Sequence, residues 1–106
     1  MNDSRQMLHD LVLEAMANDY ESFDCILDQV SPWATGRGVS VTRREVAEAV
    51  ERAILDGCAQ AYLLSPQPPH SQPVAFSSDR LDDLWFHVTP KGMQRVKELE
   101  TEWPSP

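Results

Sequence analysis

The chain has 106 residues, 42% of them hydrophobic, and its 17 acidic side chains against nine Lys and Arg give a formal charge of −8. That is the length of one domain, with enough apolar residues for a single core and too many for a disordered chain. No apolar run approaches the ~20 residues needed to cross a bilayer, and Met1–Gln6 lacks the layout of a secretory signal, so a cytoplasmic protein without membrane contact is expected.

In chain order, residues 4–17 read as a first helix: Asp3 with Gln6 suits a capping box, and Leu8, Leu11, Val12 and Ala15 share one face, flanked by Met7 and Met16. Asn18 with Glu21 looks like a second box, opening a helix over about 19–30 on Phe23, Ile26, Leu27 and Val30 and closed by Pro32. Trp33–Gly38 is expected as turn or loop, with Val39 and Val41 as a very short strand. Thr42 with Glu45 is the clearest capping box, and Val46, Val50, Ala53 and Ile54 give a third helix over about 43–56, ended by Gly57.

The period then changes from 3.6 to 2. Residues 59–64 and 84–88 read as two antiparallel strands, Leu84, Phe86 and Val88 pointing one way, joined by a long proline-rich loop at about 65–73. The stretch 76–83 reads as either a bent strand or a short helical turn. Thr89 then caps a last helix, with Pro90 in its first position and Met93, Val96 and Leu99 on its buried face, ending near Glu102. The expected fold is therefore mainly α with a small β hairpin, in the order helix, helix, helix, strand, long loop, strand, helix.

Catalytic and metal patterns are weak. His9, His70 and His87 fall on three different elements without ligand spacing, and Cys25 and Cys58 stand in no paired motif. The cysteines are expected as ordinary, partly buried thiols, and two of them make no disulfide framework. Asp79, Asp82 and Asp83 read as a solvated turn, and Asp10 and Glu14 as two acids on the solvent side of the first helix. A non-enzymatic domain with no cofactor and no metal is expected.

The run Val41-Thr42-Arg43-Arg44-Glu45-Val46, continuing through Ala53–Gly57 into a strand, resembles the third helix and first wing strand of winged helix-turn-helix domains. Leu84–Val88 followed by Thr89-Pro90-Lys91-Gly92 resembles the closing wing strand and next helix of small winged-helix transcriptional regulators. The resemblance spans about 4–102 and implies a single winged-helix domain over 1–106. It implies a third helix that enters the major groove of duplex DNA, beside a wing that touches the backbone; other members bind protein.

Arg37, Arg43, Arg44 and Arg52 are the densest basic cluster and the candidate DNA contacts. Against them stand Glu48 and Glu51 on the same helix face and a wing loop, 66–73, without Lys or Arg. Seven acids in residues 1–30 against Arg5 alone repel a polyanion as well. Two functions stay open: transcriptional regulation through duplex DNA, or an acidic module that binds a protein partner or itself. A homodimer through the first and last helices is expected, with Leu13 and Trp103 at the interface and the acids of the first helix facing Lys91, Arg95 and Lys97 of the other copy.

Overall fold

The computed structural model describes residues 3–17 and 20–102, with side chains from 5 to 17 and from 20 to 100. The elements run α1 (Asp3–Ala15), β1 (Glu21–Ser22), α2 (Phe23–Gly36), α3 (Arg43–Leu55), β2 (Ala59–Leu64), β3 (Ser71–Val74), a 3₁₀ helix (Ser78–Asp83), β4 (Trp85–Val88) and α4 (Pro90–Glu102). The four strands form one antiparallel sheet in the order β1-β4-β2-β3. The domain is thus mixed α and β, with more sheet than the two-stranded hairpin expected.

α1 is the central helix. It packs on α2, α3 and α4, and Leu11, Val12, Leu13 and Met16 are all fully buried. A helix apolar on more than one stripe must be covered on more than one side. Leu13, expected at a dimer interface, therefore belongs to the chain's own core and is closed to a partner. Trp103, the other expected interface residue, lies outside the described residues.

α2 begins later and ends later than its pattern suggested. Glu21 is drawn into β1, where it pairs with Phe86, and so does not stand in the first turn of a helix; Asn18, its expected capping partner, lies outside the described residues. Ser22 caps the helix instead, its hydroxyl accepting from the Cys25 amide at 3.2 Å. The helix continues through Pro32 because Val30 and Ala34, one turn apart on either side of it, are both fully buried. Tertiary burial outweighs the roughly 3 kcal/mol that an interior proline costs. Val39 and Val41 form no strand: Val39 donates its N–H to the Ala34 carbonyl at 2.9 Å, closing the end of α2.

The Thr42 box is complete. Glu45 donates its N–H to Thr42 Oγ1 at 3.1 Å, and Thr42 donates its own to Glu45 Oε1 at 2.8 Å. Gly57 follows α3 with φ +79°, the left-handed value that favours glycine at a helix end.

β2 pairs with β4 as expected, Ala61 opposite Phe86 and Tyr62 opposite Trp85. The segment expected to be all loop supplies β3, which pairs with the other edge of β2. Pro73 can sit in β3 because an outermost strand leaves one row of N–H positions unpaired. The 76–83 stretch resolves as the 3₁₀ helix. Ala59, Ala61, Phe86 and Val88 turn one sheet face to the helices and are buried.

α4 starts at Pro90, and its first turn is tied to the end of α3. Thr89 donates its hydroxyl to the Gly57 carbonyl at 2.6 Å and its N–H to the Cys58 carbonyl at 2.9 Å, and Lys91 Nζ donates to the Asp56 carbonyl at 2.7 Å. Thr89 Oγ1 also caps α4, accepting from the Gly92 N–H at 3.2 Å. A Cβ on Gly92 would drive into the Cys58 carbonyl, so that position is closed to any larger residue.

Candidate functional site

The outward side of α3 holds Arg44, Glu48, Glu51, Arg52 and Leu55, all exposed. The four arginines singled out in the sequence do not form one positive surface. Arg44 Nε lies 3.6 Å from Glu48 Oε2, and Arg52 Nε lies 3.6 Å from Asp56 Oδ2. Arg43 turns back toward the fold: its guanidinium donates to Asp24 at 3.0 Å and to Asp82 at 2.9 Å, and it stands 4.8 Å over the Phe23 ring. Arg37 ends α2 and donates to the Trp33 carbonyl at 3.0 Å. The Asp24 and Asp82 partners of Arg43 lie 19 and 39 residues away, so no local pattern marks them. Residues 43–56 bring Arg43, Arg44 and Arg52 against Glu45, Glu48, Glu51 and Asp56. The helix expected to meet phosphate is therefore slightly acidic, and residues 57–78 carry no Asp, Glu, Lys or Arg at all.

Below this face runs an open groove of about 420 Å³ between α1 and α3, lined by Arg5, Leu8, His9, Glu48, Arg52 and Leu55 among others. At its floor the His9 ring lies 3.7 Å from Asp10 Oδ1 and 3.5 Å from Asp56 Oδ2, and neither ring nitrogen makes a hydrogen bond. Asp10, read from the sequence as a solvent-side acid, is only 3% exposed. Arg95 grips it with Nε at 3.1 Å and Nη2 at 2.9 Å, and Gln6 donates at 3.0 Å. Burial by itself pushes the Asp10 carboxyl up, but the His9 ring, close at 3.7 Å although beyond hydrogen-bond distance, and the bonds from Arg95 and Gln6 together outweigh it and hold the group below its ordinary value. Glu14 is shifted the other way: burial raises it and the charge of Arg37 only partly offsets that.

The expected complement between the acids of the first helix and the bases of the last is therefore real, but it is intramolecular. Arg95 meets Asp10 of the same chain, and Lys91 serves the α3 carbonyl end. That contact is not offered to a second copy.

The second surface is the outer face of the sheet. Strand alternation places Trp85, Tyr62 and His87 there, opposite the buried Leu84, Phe86 and Val88. Tyr20 lies across them, its ring 5.0 Å from Tyr62 edge to face and 5.4 Å from His87, and its hydroxyl bonds Ser71 at 3.4 Å. Ser22, Trp85, Tyr62 and Pro73 line up across all four strands. Two signals for this face were present in the sequence: Trp85 and His87 alternate with the apolar set, and 57–78 is free of charge. Tyr20 carried none, because its neighbours read as a helix start.

Among the described residues no group of His, Cys, Asp and Glu could hold a metal ion, and no helix is long and apolar enough to cross a membrane. Comparison of the chain with protein-family models, with curated proteins and with solved structures finds no match.

Proposed function

We propose that this chain is a winged-helix-like module that binds protein and does not read duplex DNA. The order of three helices, an antiparallel strand pair and a closing helix supports the winged-helix part, as does the anchoring of Thr89–Gly92 on the end of α3. One observation carries the choice of ligand: three of the four candidate arginines already face a carboxylate of the same chain. A phosphate approaching α3 would meet Glu48, Glu51 and Asp56 together with the guanidinium groups, so the attraction that supplies non-specific DNA binding is cancelled at its source. The hairpin tip adds no cation to compensate.

The competing reading, a DNA-binding regulator, rests on Arg44 and Arg52, which are 88% and 70% exposed on the same helix. Surface pairs like theirs are weak and could exchange partners. Fluorescence anisotropy with a random-sequence duplex at about 50 mM salt separates the two. No binding is expected at micromolar protein. Saturable binding that falls steeply with salt, and that Arg43→Ala with Arg44→Ala weakens, would establish the regulator reading instead. Bound proteins recovered from a pull-down should survive nuclease treatment.

A further inference from the structure

We infer that the groove between α1 and α3 seats a basic amphipathic helix of a partner protein, an assignment that rests on the protein-binding reading above and gives it a site. The groove is elongated. Its α3 wall runs from Glu45 through Glu48, Ala49 and Arg52 to Leu55, a spacing of three and four residues that follows one helix face for almost three turns, or ~15 Å. The other wall is the turn of α1 that holds Arg5, Leu8 and His9. A channel between two helices suits a third, whose side chains enter it at the same three- and four-residue spacing. The apolar part of the lining is Leu8, Ala49 and Leu55. The fold covers Leu8 and half-buries Ala49, but Leu55 is 77% exposed, against 38% for Leu64 and 36% for Trp85.

Charge selects the occupant. Glu45, Glu48 and Glu51 line the groove against Arg5 and Arg52, and Arg52 already faces Asp56 at 3.6 Å. Glu51 is exposed, and among the described residues no cation stands within ion-pair distance of it. Glu48 lies 3.6 Å from Arg44, but both side chains are largely exposed, so the pair is weak and open to exchange. The groove therefore joins an uncovered leucine to a surplus of carboxylates in a chain of formal charge −8. A helix whose apolar flank covers Leu55 and whose polar flank brings Lys or Arg to Glu48 and Glu51 matches both features. A nucleic-acid strand or an anionic membrane surface meets the glutamates instead. A second copy of this chain is a poor source of the helix. It brings another charge of −8, and in each chain Lys91 and Arg95 of α4 are already held by the Asp56 carbonyl and the Asp10 carboxylate.

Two synthetic peptides of about four helical turns test this. Both carry leucine along one face; the opposite face is lysine in one and glutamate in the other. The full chain, labelled with nitrogen-15, is titrated with each. The lysine peptide should bind with a dissociation constant on the order of micromolar, shifting amide resonances of 5–9 and 45–55 and leaving those of the sheet in place. The glutamate peptide should not bind. Fluorescence anisotropy then reads the variants, and the amide spectrum of each confirms that it is folded. Glu51→Lys should weaken binding about fivefold or more, whereas Asp28→Lys, an equal change of net charge at an exposed position of α2, should alter it less than about twofold. Arg5→Glu should tighten binding by about fivefold. Leu55→Gln should weaken it by about tenfold, the loss expected when one buried leucine contact is removed. Equal binding of the two peptides, shifts confined to the sheet, or binding that Glu51→Lys and Asp28→Lys reduce alike overturns the proposal. So does a complex indifferent to Leu55→Gln, or no binding of the lysine peptide at concentrations on the order of millimolar. If neither peptide nor duplex DNA binds, the groove assignment alone falls, whereas salt-sensitive duplex binding overturns the protein-binding reading itself.

Discussion

Asp10 is the one charged side chain buried among the described residues, and Arg95 compensates its charge. Removing one partner of a buried pair leaves the other charge without compensation, which costs about 3–5 kcal/mol. Arg95→Met should therefore lower the stability of the chain by about 3 kcal/mol near neutral pH. The pH dependence has a definite sign. The folded Asp10 carboxyl sits below its ordinary value, so its contribution is present above the unfolded value of about 3.9 and is lost as pH falls through the lower folded one. Urea unfolding at neutral pH and again near pH 3 should show the difference between wild type and variant shrinking in acid. An equal difference at both values would mean that Arg95 acts by packing alone. The two cysteines make a second contrast at this scale. Burial pushes the Cys58 thiol up, with Lys91 only partly offsetting it, whereas Cys25 is exposed. Neither sits in the partly buried environment expected for both. One equivalent of iodoacetamide adduct should form on Cys25 in the native protein, and Cys58 should react only on unfolding, as read by peptide mass; prompt labelling of both would contradict the closed position of Cys58.

The joint between α3 and α4 decides how the elements are held. Thr89, Pro90, Lys91 and Gly92 supply a cap, a fixed first residue, a cation for the α3 carbonyls and a gap for the Cys58 carbonyl. Gly92→Ala gains ~1 kcal/mol in helix propensity but must displace backbone, and overpacking costs about 1–3 kcal/mol. A net loss of up to about 2 kcal/mol is expected in urea unfolding, and higher stability would show that the two helices separate easily. This joint was legible in the sequence because capping chemistry is local, and so was the Thr42–Glu45 box. Elements set by distant partners were not. β1 exists because Glu21 and Ser22 find β4, and β3 exists because β2 has a second edge, although three prolines precede it in the turn. α2 passes Pro32 because Ala34 reaches the core. Among the candidate arginines, Arg44 and Arg52 meet acids one helical turn away, a spacing that the sequence shows, whereas the neutralisation of Arg43 was hidden by its long sequence separation from Asp24 and Asp82.

At the scale of the whole molecule, charge opposes folding more than it assists it. The ion pairs of Arg43, Arg44 and Arg52 are largely exposed, and such solvated pairs contribute little to stability. Against them stands a formal charge of −8 confined to a 12.0 kDa body, whose self-repulsion the compact state must overcome. Added salt screens charges that lie farther apart than the Debye length, which falls from about 30 Å at 0.01 M to about 8 Å at 0.15 M, so the spread-out repulsion is screened more than pairs in contact. Because the surplus is one of like charges, the repulsion is the larger quantity to lose. The buried Asp10–Arg95 pair is little affected, since screening by salt is much weaker for buried charges. The expected outcome is a thermal midpoint that rises by a few degrees between ~10 and ~150 mM sodium chloride, measured at a concentration where sedimentation finds a monomer, so that pairing adds nothing to the shift. Arg43→Ala, which frees Asp24 and Asp82, should lower the midpoint at low salt and lose most of that penalty at high salt. A wild-type midpoint that falls as salt is added would mean that the exposed pairs outweigh the surplus charge, and that the acidic surface is held together by its arginines.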